Sequence, residues 1–282
     1  MKKGLVFSVM IFGTIKLTMA QSFSLVSNNE SSGFNDYSVQ QFDVFSFSRN
    51  PSTLMNDHGI MVGVFSERKF MLQEFSVSKV VFSAATTKGN VGLMATHGGG
   101  LDYKETAVSF YYAKKLSDNF NVGTGFNYLR KNLKIDYPYS GIGTSIGFNF
   151  ILSPQLQSGI SFHNPLRLFI TSSSNFILQY KYEFGIGCDA TSQFYIHIHG
   201  VKQENCPAEI SAGFQYKPSN KFMCKVGVRS DSKSIYLGAG FKVKKMMVEI
   251  MLLNHPQLGI SPVLFMNSKI KESFSWNGKL EK

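Results

Sequence analysis

Two histidines, His197 and His199 in "YIHIHG", are the side chains in this 282-residue sequence whose type and spacing come nearest to a chemical site. On a strand, residues two apart share a face, so both imidazoles point to one side. Paired imidazoles can hold a metal, but a zinc-type site needs a third ligand at suitable spacing, and no Cys, Asp or Glu stands there. No metal and no cofactor are expected. "HGGGL" (97–101) has the composition of an oxyanion loop, yet no G-x-S-x-G elbow accompanies it, so it reads as a flexible loop. Ser and His are too frequent for a Ser–His pair to be picked out. These residues argue against an enzyme.

A second set of polar side chains is more informative because of what lies between its members. Lys79, Lys181, Glu183, His197, His199, Glu209, Lys225, Arg229, Lys242 and Glu249 all fall on the small-residue face of segments whose other face is bulky and apolar. "GIGTSIGFNFIL" (141–152) shows the pattern. Ile142, Ile146, Phe148, Phe150 and Leu152 alternate with Gly143, Ser145, Gly147 and Asn149. The same period of two runs through "FNVGTGFNY" (120–128), "FILQYKYEFGI" (176–186), "AEISAGFQY" (208–216) and "SIYLGAGFKV" (234–243). Soluble sandwiches also alternate, but they bury their apolar faces together and do not fill the other side with glycine.

The spacing predicts an all-β fold, a transmembrane antiparallel β-barrel of about 14 strands. The expected strands are 59–66, 77–86, 91–97, 103–115, 120–130, 140–152, 155–163, 175–188, 193–201, 207–216, 221–230, 233–243, 246–253 and 259–267. Their lengths approach the ~9–11 residues a tilted strand needs to cross a bilayer. Tight connections such as "SP" (153–154) and "KK" (244–245) alternate with longer ones such as 164–174. That sorting fits short turns at one rim of a barrel and longer loops at the other. The bulky face then meets lipid, and the charges line the lumen and pair there, because a Lys or Arg in midplane lipid costs ~2–4 kcal/mol.

The first residues set the compartment. "MKKGLVFSVMIFGTIKLTMAQS" has a basic start, an apolar stretch and a small-x-small approach to Ala20, which predicts a signal peptide over 1–20. Cleavage would leave 26 basic against 18 acidic residues. Arg68, Lys69, Arg130, Lys131 and Arg167 form a surplus suited to anionic lipopolysaccharide at an outer rim, whereas nucleic acid is a poor partner for an exported barrel. Cys188, Cys206 and Cys224 are too far apart in the expected register to pair, so three free thiols are expected.

Residues 21–56 do not alternate, and "DYSVQQFDVFSFSRNPSTLMND" reads as a helical turn around Val39 to Phe47 followed by an Asn-Pro turn. This segment is expected to plug the lumen, with a flexible periplasmic arm as the alternative. Phe42, Phe45 and Phe47 would be poorly soluble in a loose tail. "FSFSRNPSTL" (45–54) resembles the Asn-Pro-Ala-x-Leu segment that precedes the barrel in FadL-type transporters and their Bacteroidota relatives, including PorV-like proteins. Ser52 stands where the family usually has Ala. "SERKFMLQEFSVSKVVFSAATTKGNVGL" (66–93), "DYKETAVSFYYAKKLSDNFNVGTGFNYL" (102–129) and "NHPQLGISPVLFM" (254–266) are similar to further stretches of those relatives. The resemblance implies fourteen strands and a periplasmic N-terminal plug, with Phe45, Phe47, Asn50, Pro51 and Leu54 as its motif residues.

The domain reading is a signal peptide (1–20), a plug segment (21–56), an outer-membrane barrel (57–267) and a periplasmic tail (268–282). Two functions follow. A non-enzymatic accessory subunit of a larger outer-membrane complex, PorV-like and acting in type IX secretion or similar, fits short loops and a plugged lumen, and is the expectation. The alternative is FadL-like passive transport of small hydrophobic compounds. Its best capture loop is "NPLRLFITSSS", with Leu166, Leu168, Phe169 and Ile170 as apolar content.

Overall fold

A computed structural model describes residues 36–38, 43–134, 138–165, 178–230 and 233–271. Fourteen strands follow one another among them: β1 (Ile60–Arg68), β2 (Ser76–Ala84), β3 (Asn90–Gly99), β4 (Tyr103–Ser117), β5 (Phe120–Leu133), β6 (Tyr139–Ile151) and β7 (Leu156–His163) form the first half. The second half comprises β8 (Lys181–Asp189), β9 (Phe194–Gln203), β10 (Glu209–Ser219), β11 (Phe222–Arg229), β12 (Ser234–Val243), β13 (Met246–His255) and β14 (Gly259–Lys271). Each pairs antiparallel with its sequence neighbours, and β14 returns to β1, with Val64 opposite both Val80 and Met266. The ring is closed. Closure satisfies the backbone groups that an open sheet edge would leave bare.

Strict alternation decides which face turns inward. In β6, Gly143, Ser145, Gly147 and Asn149 are buried against the interior, while Ile146 and Phe150 are exposed on the outside. Val80, Val108, Phe184, Ile198, Leu237 and Ile250 continue the exposed apolar belt around the ring. In water, this surface would forgo roughly 25 cal/mol for every Å² of apolar area left unburied. The belt is therefore built for hydrocarbon contact. Aromatic pairs mark one border of it: Phe120 with Phe150 at 5.0 Å, Phe194 with Tyr216 at 4.6 Å, and Phe222 with Phe241 at 5.1 Å. These lie at the barrel end where the chain enters β1 and leaves β14, here the terminal end. The opposite end is the mouth.

Connections at the terminal end are two to five residues long, as between β4 and β5 or β12 and β13. Those at the mouth are longer on average, the longest being 164–180 between β7 and β8. Several sequence expectations shift. β8 begins at Lys181, so Leu178 to Tyr180 belong to the preceding loop. His97 to Gly99 close β3 and are not a loop, because their backbone pairs with Lys104 to Thr106. β14 runs to Lys271, four residues past the expected barrel end, because Ser268 to Lys271 still find partners on β1. Of the expected helical turn around 39–47, only 43–47 falls among the described residues. Two 3-10 turns, Ser46–Ser48 and Pro51–Asn56, occupy the interior, and Val39 to Phe42 lie outside the described residues.

Candidate functional site

The interior is organised by the segment 43–59, which sits inside the ring. Asn50 caps the Pro51–Asn56 turn, its Oδ1 accepting from the Ser52 N–H at 3.1 Å and from Ser52 Oγ at 2.6 Å. Pro51 at the first position supplies a pre-set φ. The Asn50 amide then donates to the Phe148 carbonyl of β6 at 3.0 Å and to the Tyr37 hydroxyl at 3.3 Å. Below it, the Asn90 amide donates to the carbonyls of Leu54 (2.6 Å) and Asp57 (2.9 Å), and Ser83 Oγ donates to the Asp57 carboxylate. The turn thus satisfies part of its polar groups internally and is tied to the wall by the Asn50 amide, the Leu54 and Asp57 carbonyls and the Asp57 carboxylate.

The wall comes close enough to make those bonds because it lacks side chains there. A Cβ on Gly147 would fall 2.0 Å from Asn50 Oδ1, and one on Gly123 2.4 Å from the Pro51 carbonyl carbon. The Asn-Pro turn and the glycine-rich inner faces are two halves of one interface. Close by, Arg49 pairs with Asp36 at 3.1 Å. Burial pushes the Asp36 carboxyl up to about 7 against the pull of Arg49.

Around this segment the inner wall divides in two. Over β12 to β14 and β1 to β4 it carries an apolar cluster, Tyr236, Met251, Val263, Phe265, Phe65 and Val81 packing with the segment's Val44, Phe45, Phe47 and Leu54, with Glu67, Lys79, Glu105 and Glu249 facing inward on the same strands. Phe45 lies 6.1 Å from Phe65 and 5.7 Å from Phe265, and Phe47 lies 5.0 Å from Tyr111. Over β7 to β11 it is small and charged. Glu183 is buried and approached by Lys181 at 2.5 Å, His199 at 3.0 Å and His163 at 3.2 Å. Arg229 meets Glu209 at 2.7 Å, and Lys225 meets Glu249 of β13 at 2.8 Å. These charges are pinned to each other.

The mouth beside β1 and β14 carries apolar residues of its own. The connection from β1 to β2 folds as two 3-10 turns, Lys69–Met71 and Gln73–Phe75, and the Phe70 N–H donates to Ser261 Oγ at 2.8 Å. Phe70 and Met71 both have positive φ, 54° and 61°, a conformation that bulky residues rarely adopt without compensation. The turns and Leu258 enclose a cavity of about 490 Å³ lined by Lys69, Phe70, Leu72, Phe75 and Leu258. Met71 stands 61 % exposed beside it. A second cavity of about 520 Å³ opens at the terminal end beneath the plug, bounded by Met55, Asp57, Asn90, Lys115, Asn121 and Gln157 among others.

Of the residues singled out from sequence, Phe45, Phe47, Asn50, Pro51 and Leu54 are all buried within the ring. Lys79, Lys181, Glu183, His197, His199, Glu209, Lys225, Arg229 and Glu249 face the interior, Lys79 lying over the Phe65 ring at 5.2 Å. Lys242 has the inward phase but sits at the open terminal end, where it is exposed. Leu166, Leu168, Phe169 and Ile170, with Arg167, lie outside the described residues. Lys131 is a correction: expected at the outer rim, it points inward and pairs with buried Glu105 at 2.9 Å, because it shares the phase of Asn127 and Leu129. Cys188, Cys206 and Cys224 are free thiols. Sequence reading missed His163, Phe65, Phe265 and the mouth residues. The inward phase of Phe65 and Phe265 was visible between Gly63 and Glu67 and beside Val263, but the pocket joins residues far apart in the chain.

No protein-family model matches this sequence, and no curated protein does. Solved structures do match in shape. A Pseudomonas aeruginosa FadL homologue superposes with TM-score 0.63 at 9 % identity, over 80 % of this chain and 94 % of that one. A deletion mutant of TodX, titled a monoaromatic hydrocarbon channel, gives 0.62 at 8 %, over 88 % and 99 %. The Pseudomonas putida toluene transporter TodX gives 0.60 at 8 %, over 84 % and 94 %. The chain therefore has the fold of FadL-type outer-membrane barrels: a closed fourteen-stranded antiparallel ring.

Proposed function

We propose that this protein is a non-enzymatic outer-membrane barrel that passes small hydrophobic compounds, exported by a signal peptide over 1–20 and oriented with its mouth outward. The observation that carries the reading is a pair of apolar features on one side of the ring: the mouth cavity at Phe70, Leu72, Phe75 and Leu258, and, deeper inside, the cluster of Val263, Phe265, Phe65 and Met251 against Phe45 of the plug. A hydrophobic solute leaving water gains from such surfaces. The similar structures are named as a hydrocarbon channel and a toluene transporter, which supports the same class of cargo. This reading takes precedence over the accessory subunit of a secretion complex expected from the short loops, because the names of the similar structures support transport rather than assembly.

The test uses full-length protein in lipid nanodiscs and a fluorescent dansyl-labelled fatty acid that brightens on burial. Saturable brightening, displaced by toluene and lost in Phe265→Asp, is expected. A wild-type barrel that neither binds the probe nor yields to toluene competition overturns the transport reading. A stoichiometric protein partner recovered from native membrane would restore the accessory-subunit reading.

A further inference from the structure

The exterior of one wall carries a feature that the interior path does not use. Ser66, Ser78, His97, Thr106, Arg130 and Ser140 are paired in turn across β1 to β6, so they form one continuous row. All have the outward phase, and the first five are exposed. Two residues toward the terminal end runs a second row, Val64, Val80, Ala95, Val108, Tyr128 and Ile142, paired in the same way. The surface passes from apolar to polar in one step over six strands, always within a few residues of the mouth.

The polar row has a basic centre. Lys104 is exposed two residues beyond Thr106 and opposite Asn132, and the Arg130 guanidinium donates through Nε to Asn132 Oδ1 at 3.3 Å. His97 Nδ1 lies 3.2 Å from Thr106 Oγ1. Diagonal neighbours on a sheet stand ~7–8 Å apart, within reach of long side chains, so Lys104 and Arg130 can close on one group above Thr106. Of the nearby acids, Glu105 points inward to Lys131, Asp102 holds Lys134 at 2.8 Å, and Glu74 lies exposed in the turn packed against Gly100. On β10 to β13 the outward residues nearest the mouth are Ile210, Val228, Ile235 and Asn254, none of them basic.

We propose that the outer face formed by Lys104, Thr106, Arg130 and His97 binds the phosphorylated headgroup of a lipopolysaccharide-type lipid. The acyl chains lie along the apolar row from Val80 to Tyr128. Cations answer the phosphate, and the adjoining row answers the hydrocarbon, which selects a membrane lipid over free phosphate. The proposal rests on the outer-membrane reading above, and its test separates the two.

Full-length protein is floated with zwitterionic phosphatidylethanolamine vesicles, then titrated in detergent with purified lipopolysaccharide, with its dephosphorylated form and with inorganic phosphate. Flotation, retention of lipopolysaccharide only when phosphorylated, and no displacement by millimolar phosphate are expected. K104Q/R130Q, checked for folding by heat-modifiable gel migration, should weaken retention by about 30-fold, and K202Q on β9 should not. Flotation with equal retention of the dephosphorylated lipid, or unchanged retention by K104Q/R130Q, overturns the headgroup site and leaves the barrel standing. Displacement by inorganic phosphate alone overturns the lipid as its occupant. Protein that floats with no vesicle overturns both.

Discussion

The two halves of the inner wall hold the same plug by opposite means. Against β12 to β14 and β1 to β4, the plug is held by side chains: Phe45 and Phe47 fill space between Phe65, Phe265 and Tyr111. Against β5 to β8 it is held by backbone and amide groups, and the wall contributes absence, with Gly123, Gly147, Gly159 and Gly185 leaving room for Pro51, Asn50 and Tyr37. Burial gives strength without direction, whereas hydrogen bonds to a fixed carbonyl give register. The apolar half therefore supplies most of the docking energy and the glycine half sets the position.

Substitutions can break this comparison. Phe45→Ala removes a fully buried ring from the apolar half and is expected to destabilise plug docking most, by about 3–5 kcal/mol. Limited proteolysis of the 43–59 segment in an intact barrel measures it, and unchanged protection would show that the apolar half does not hold the plug. Gly147→Ala adds one methyl where only 2.0 Å is free. Overpacking of this kind costs about 1–3 kcal/mol, and a crystal structure should show Asn50 displaced from the Phe148 carbonyl while Phe45 stays seated. Asn50→Ala loses a cap, one wall contact at Phe148 and the bond to Tyr37, about 1–2 kcal/mol; amide exchange should rise at Ser52 and Thr53 and stay low around Phe45.

The smallest effect is with pH. Because the buried Asp36 carboxyl is raised to about 7, its contribution favours the docked plug fully below the ordinary carboxylate range and is lost as pH rises through about 7. Proteolysis of the plug should therefore be modestly faster at pH 8 than at pH 5. The opposite order would show that the Arg49 pair, not burial, controls this group.

Much of the architecture was legible. Strand number, antiparallel order and the inward phase of Lys79, Glu183, His199 and Lys225 follow from a period of two, which each strand carries on its own. The segment around Asn50 and Pro51 could be recognised as separate because it breaks that period. Lys131 was misplaced since its charge was weighed ahead of its phase, although Leu129 and Asn127 fix it. The candidate path was mostly hidden. Its mouth joins the 69–75 turns to Leu258, and its floor joins Phe45 to Phe265, contacts that exist only once the ring has closed.

What the sequence alone determined was a face for each residue, fixed by its phase along the strand, with most bulky side chains outward and most small ones inward. That information is local, because neighbouring side chains on a strand point oppositely whatever the strand pairs with. What only the tertiary structure decided was which inward residues share a neighbourhood. Closing β14 onto β1 brings Phe265 beside Phe65, and seating the plug turns scattered glycines into a socket. The reason is that these contacts depend on position around the ring, a coordinate set by the pairing of all fourteen strands together.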